Sequence, residues 1–280
     1  MKCNAAHEGS RYPAQARPLF SCVICRFFYV FLVVNLALIA TVFAGTVANA
    51  LSGRVTLGPL SGKVILLDPG HQLGNSNPRF SQQMSQKKFN GTTVKGCNTT
   101  GTATNSGYPE ATFNWKVARQ LKRMLEARGA RVELTRNSNS RDRWGPCVWD
   151  RAQQANRIGA DVMINIHADG APSKGRGFFV LAPGLVKGWT EDVVKPGRKL
   201  ARAMIEGMTT AGAPPSNYIS NQLMISTNTT GLNFSNVPTV TVELGNMRNK
   251  SDALRMTSSV GQRKYATWLL AGLEQYFSKS

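Results

Sequence analysis

The chain has 280 residues, enough for a substantial buried core, and its 42% apolar and 18% charged content is that of a globular protein, which excludes disordered, collagen-like and low-complexity classes. Lys and Arg number 34 against 15 Asp and Glu, a net charge of +19 that favours anionic partners such as nucleic acid, acidic lipid or an acidic polymer. Charge of this kind says nothing about fold.

Residues 1–26 hold Lys2, Arg11, Arg17 and Arg26 against one acid, Glu8; residues 27–48 carry no charge, and Ala48-Asn49-Ala50 follows as a small-x-small cleavage pattern. Together they predict a secretory signal over 1–50. The 22-residue apolar run is also long enough to span a bilayer, so an uncleaved N-terminal anchor stands as the alternative, and the only predicted membrane contact. Either way the domain over 51–280 is expected to be exported, to the periplasm or cell wall. It keeps 30 Lys and Arg against 14 Asp and Glu, or +16. Outside a cell an anionic envelope polymer is the economical partner, and no helix-turn-helix, zinc-finger or RNA-binding pattern argues for nucleic acid. Cys97 and Cys147, the two cysteines beyond the leader, lack CxxC spacing and read as one structural disulfide.

Residues 63–68 (KVILLD) predict a buried strand ended by Pro69-Gly70. Residues 72–107, rich in Gly, Ser, Thr and Asn, predict a long loop pinned through Cys97. Glu110 opens a helix with Phe113, Val117, Leu121 and Leu125 on one face and Gly129 as its stop. A strand is predicted at 132–135, a helix at 150–158, and buried strands at 161–166 and 177–181. A helix over 191–211, an irregular stretch over 212–236, a strand at 239–244 and one helix over 252–277 complete the chain. Alternating apolar strands and helices predict a single α/β domain: a twisted, mostly parallel, mixed sheet with helices on both faces.

His71 and His167 both stand at the carboxyl end of an apolar strand, where α/β sheets place their ligands. Two such histidines favour a metal site over two structural imidazoles. Between Asp68 and Glu110 there is no acid, so Glu110, at a helix start, is the candidate third ligand; its bland alternative is to complement the helix dipole. Asp68 is either a ligand or an orienter of an imidazole. Glu243, alone in the strand TVTVEL, is either a general base or the structural partner of an arginine such as Arg136 or Arg248.

The stretches VILLDPGH (64–71), Glu110 with the following 111–136, DRAQQANRIGADVMINIHADG (150–170) and VPTVTVELGNMRN (237–249) resemble, in order, the zinc-dependent N-acetylmuramoyl-L-alanine amidases of the type 3 group. The resemblance spans about residues 62–277 and is strongest to the stand-alone actinobacterial, especially mycobacterial, members. It implies one Zn2+ per chain held by His71, Glu110 and His167, with Glu243 as the catalytic glutamate. It also implies hydrolysis of the amide between the lactyl group of N-acetylmuramic acid and L-alanine in peptidoglycan; a monomer is expected. In many members the glutamate follows the first histidine by about fifteen residues; here loop 72–107 widens that gap, and it is expected to shape or cover the cleft. Two other readings remain open: a non-catalytic basic wall-binding protein, and a zinc hydrolase acting on a different bond of the wall.

Overall fold

A computed structural model of the protein describes residues 58–279, so the signal or anchor predicted over 1–50 lies outside the described residues. In chain order the strands are β1 (Val64–Pro69), β2 (Lys87–Phe89), β3 (Val94–Gly96), β4 (Arg131–Leu134), β5 (Val162–Asp169), β6 (Phe179–Pro183), β7 (Leu223–Ser226) and β8 (Thr239–Asn246). The helices are α1 (Ser81–Met84), α2 (Glu110–Glu126), α3 (Val148–Arg157), α4 (Glu191–Thr210), α5 (Thr230–Asn233), α6 (Lys250–Thr257) and α7 (Ser259–Ser278). Six strands form one sheet in the order β4-β1-β5-β8-β6-β7. Only β6 and β8 run antiparallel; every other neighbouring pair is parallel. The mixed, mostly parallel α/β domain expected from the sequence is therefore the observed one.

Strand alternation decides what each face carries. Ile65, Leu67, Val162, Ile164, Ile166, Val180, Val240 and Val242 point to one face and are buried with Phe113, Val117, Leu121 and Leu125 of α2. Met204 and Leu200 of α4 and Trp268, Leu269 and Leu273 of α7 join the same core. The other face alternates to Leu66, Met163 and then polar residues, and has a smaller apolar cluster completed by Ala155 of α3. Toward the carboxyl ends of β1, β5 and β8 this second face is therefore free to hold polar side chains.

Three expectations need correction. Loop 72–107 is not structureless: β2 and β3 pair as a hairpin and α1 precedes it. Its strands are three residues each and mostly exposed, too short for any alternation to mark them. The stretch 212–236 contributes the edge strand β7 and the single turn α5. The predicted last helix is two helices. Ser258 sits at φ −95°, ψ 145° between α6 and α7, its hydroxyl accepts from the Gly261 N–H, and a Cβ on Gly261 would lie 1.9 Å from the Arg255 carbonyl oxygen. A serine cap inside an apolar pattern leaves the 3.6-residue period intact while breaking the helix.

The expected disulfide is present, joining Cys97, just beyond β3, to Cys147, which caps the start of α3. It is buried with Trp149. Cross-linking across a sequence separation of 50 stabilises a fold by about 4 kcal/mol in the chain-entropy model. The Cys97→Ser, Cys147→Ser double variant should lose stability on that scale in urea unfolding. A midpoint that neither the variant nor a reductant moves would contradict this account.

Candidate metal centre

Two buried guanidinium groups shape the turn that follows β1. Arg151 of α3 donates through Nη1 to Asp68 Oδ1 (2.8 Å) and the Pro69 carbonyl (3.1 Å), and through Nη2 to the His71 carbonyl (3.0 Å). Arg136, just past β4, donates to the carbonyls of Pro69 (2.8 Å), Gly70 (3.4 Å) and Ala111 (2.7 Å). Three successive carbonyls are thus satisfied by side chains where the sheet ladder ends. The clamp holds His71 at φ +61°, a left-handed conformation uncommon outside glycine.

His71 and His167 meet edge to face, with ring centroids 4.9 Å apart. Between them stands the buried carboxylate of Glu110, in the first turn of α2. Its Oε2 lies 3.1 Å from His71 Nε2 and its Oε1 3.0 Å from His167 Nδ1. The same oxygens accept from the backbone N–H groups of Thr102 (2.9 Å) and Ala168 (3.2 Å) and from Asn114 Nδ2 (3.1 Å). The loop can lie this close because residue 101 is glycine. At φ +78°, a Cβ there would come within 2.7 Å of both Glu110 Oε2 and the His71 ring. His71 Nδ1 is 3.0 Å from the Thr99 carbonyl, which it can donate to, directing the Nε2 lone pair at the centre.

The electrostatics follow from this arrangement. Burial pushes the Glu110 carboxyl up, but the His71 charge and the hydrogen bonds from both imidazoles outweigh it and hold the group well below its ordinary 4.5. For His71, burial acts downward and the Glu110 charge more than reverses it, so the imidazole sits above 6.5. Glu243 is pushed the other way. Burial, then the charges of Glu110 and Asp169, all raise it well above 4.5.

Ligand atoms of His71, Glu110 and His167 all lie within 4.8 Å of one another. Two imidazoles and a carboxylate make the three-donor set of zinc sites that leave a coordination position open. The residues present therefore fit a zinc ion. Glu243 pairs in register with His167 across β5 and β8, and its Oε2 is buried with no hydrogen-bond partner. All four sequence-derived candidates are thus gathered at the carboxyl ends of β1, β5 and β8.

Two of the alternatives raised from the sequence do not hold. Glu243 is bound by neither Arg136 nor Arg248: Arg136 is committed to backbone carbonyls. Asp68 contacts no imidazole; it accepts from the Thr135 hydroxyl and Arg151. Arg136 was named from the sequence only as a partner for Glu243, and Arg151, Asn165 and Thr241 were not singled out. Asn165 alone had a visible signal, as a polar residue inside DVMINI, two positions before His167 and hence on its face.

A cavity of about 400 Å3 opens beside the centre, lined among others by His71, His167, Glu243, Asn165, Lys95 and Gly231. The hairpin side of loop 72–107 forms part of its wall, through Lys95, Gly96, Asn98 and Thr99.

Residues 65–275 match the family of N-acetylmuramoyl-L-alanine amidases of the Amidase_3 type. The chain is 36% identical over 230 residues, 81% of its length, to an N-acetylmuramoyl-L-alanine amidase of Mycobacterium tuberculosis, and covers 91% of that relative. It resembles the crystal structure of the amidase Ami1 from Mycobacterium smegmatis with a TM-score of 0.72 at 32% identity, over 79% of this chain and 99% of that one. The apo form of Ami1 from Mycobacterium abscessus gives a TM-score of 0.71 at 35% identity, over 77% and 99%.

Burial pushes the Asp68 carboxyl up, but the Arg151 charge and then the Thr135 hydroxyl outweigh it and hold it below its ordinary 3.8. A carboxyl depressed in the folded state contributes stability above its unfolded value and loses it as pH falls through its folded value. Asp68→Asn should therefore destabilise by about 3–5 kcal/mol at pH 7, since it leaves Arg151 buried without its counter-charge. Urea midpoints of wild type and variant should converge below about pH 4. A deficit independent of pH would show that the charge is not what holds the turn.

Proposed function

The chain belongs to the N-acetylmuramoyl-L-alanine amidase family, and from that premise we propose that His71, Glu110 and His167 hold one Zn2+ while Glu243 carries the proton of the reaction. The protein is an amidase acting on peptidoglycan, where it separates the lactyl group of N-acetylmuramic acid from L-alanine of the stem peptide. The observation that supports the site assignment is one buried carboxylate bonded to two strand-end imidazoles, beside an acid whose Oε2 has no structural partner.

Bound zinc supplies Lewis-acid chemistry, polarising the scissile carbonyl and bringing the ionisation of water towards neutrality. The chain's own residues do the rest. Glu243 Oε2, raised in pKa and unpaired, accepts a proton from the attacking water and returns it to the alanine nitrogen as the C–N bond breaks. Glu110, though a proposed ligand, is kept anionic by its hydrogen bonds and imidazole neighbours. The clamp on 68–71 fixes the first imidazole, and the cavity beside Glu243 receives the substrate. The leader over 1–50 delivers the enzyme, as a monomer, to the wall.

The purified protein should release stem peptides from muropeptides and hold about one zinc ion per chain. Glu243→Gln should lower kcat by 10²–10⁴, the usual order for general acid–base catalysis, with metal content unchanged. Glu110→Ala should lose both metal and activity, as should wild type treated with a chelator, with zinc restoring the latter. Zinc retained with a different bond cleaved would overturn the amidase assignment. Neither zinc nor cleavage would leave a basic wall-binding protein.

A further inference from the structure

Register builds a row, polar but for its last member, across the floor of the cavity. Asp68, Asn165, Thr241 and Leu181 stand side by side on β1, β5, β8 and β6, one step in from the row that holds His167 and Glu243. Asp68 is consumed by Arg151 and Thr135. Asn165 is not. It is 3% exposed, its Nδ2 donates to Thr241 Oγ1 at 3.0 Å, and its Oδ1 is buried without a partner. A buried amide oxygen left bare costs on the order of 1–3 kcal/mol, and nothing in the fold recovers it. Gly231 lies over this side chain, and a Cβ there would sit 3.1 Å from Asn165 Nδ2.

The wall of the same cavity presents Lys95. Across the hairpin it is directly opposite Lys88, whose ammonium stands over the rings of Phe234 (5.1 Å) and Trp149 (5.9 Å). That face of the hairpin is therefore turned inward. Among the described residues Lys95 has neither an ion-pair nor a hydrogen-bond partner, and Cys97, two residues on, ties its strand to the start of α3. An unpaired cation and a buried, unpaired acceptor thus line one space next to the reacting centre.

We propose that Asn165 and Lys95 form a subsite for the stem peptide, in which Asn165 Oδ1 accepts a backbone N–H and the Lys95 ammonium pairs with a carboxylate of the peptide. The proposal rests on the amidase reading and deepens it. The chemistry favours the peptide over the glycan strand. The sugars offer neutral hydroxyl and acetamido groups, whereas the second residue of the stem, a γ-linked glutamate, bears a free α-carboxylate or its amide. Only the carboxylate form rewards an unpaired ammonium.

The test uses the zinc-loaded enzyme on two synthetic substrates, N-acetylmuramoyl-L-Ala-D-Glu and N-acetylmuramoyl-L-Ala-D-isoglutamine, which differ by that one charge. Wild type should prefer the first by about tenfold in kcat/KM, the scale of one charge-assisted hydrogen bond. Lys95→Gln should bring the ratio close to one, mainly through KM, and Lys95→Arg should restore most of it. Asn165→Leu should cut kcat/KM on both substrates by roughly tenfold or more at unchanged zinc content. Gly231→Ala leaves Asn165 in place and crowds it, so a rise in KM on both substrates would separate loss of the subsite from misfolding. A ratio near one in wild type, or one that survives Lys95→Gln, would overturn the role of Lys95. An Asn165→Leu enzyme of wild-type KM and kcat would overturn that of Asn165. Release of peptide from neither substrate by zinc-loaded wild type would overturn the amidase reading, and this proposal with it.

Discussion

The centre depends on how a parallel strand ends. Where β1 runs out, the carbonyls of Pro69, Gly70 and His71 no longer have strand partners, and two buried guanidiniums take their place. One comes from α3 and the other from the segment after β4, so elements from both sides of β1 converge on four residues. Burying two cations beside a single carboxylate is costly. Burial lowers the pKa of Arg136 to about 9, with the neighbouring Arg151 charge adding to it and Asp68 opposing. In return the backbone is held at a left-handed φ that sends the His71 imidazole towards Glu110 rather than away from it.

Charge at the centre is divided unequally between two glutamates. Glu110 is held anionic because three hydrogen-bond donors and two imidazoles surround its oxygens. Glu243, on β8, has burial and two neighbouring negative charges to contend with and no donor on Oε2. Two acids of the same type are thereby pushed in opposite directions, the condition under which one can serve as a ligand and the other as a proton carrier. The assignment of those two roles remains the reading proposed above.

Much of this was legible in the chain because it depends on strand ends. His71, His167 and Glu243 each close an apolar run, and the lack of acids between Asp68 and Glu110 narrowed the choice of a third group. The sheet was legible for the same reason: its strands are short, apolar and separated by helical patterns. What escaped was whatever depends on tertiary neighbours. Arg136, past a strand, and Arg151, within a helix, look like ordinary arginines until the fold brings both to the Pro69 carbonyl. The β2–β3 hairpin has three-residue strands, each with one exposed apolar side chain, so no hydrophobic rhythm marks it. The break at Ser258 is hidden because the apolar stripe continues through it.

The chemistry and the cleft wall are built from different material. The proposed ligands and Glu243 sit at strand ends and a helix start whose neighbouring residues, Ile166, Val242 and Phe113, belong to the main core. The wall is a short hairpin stapled by one covalent bond at Cys97 and anchored at its turn by the buried Asn90, while Lys87 and Val94 on its strands are exposed. Substitutions at the exposed strand positions of this hairpin can therefore accumulate without touching the reacting groups. Such a molecule can drift in what it selects while keeping what it does, and the hairpin is where divergence among its descendants should concentrate.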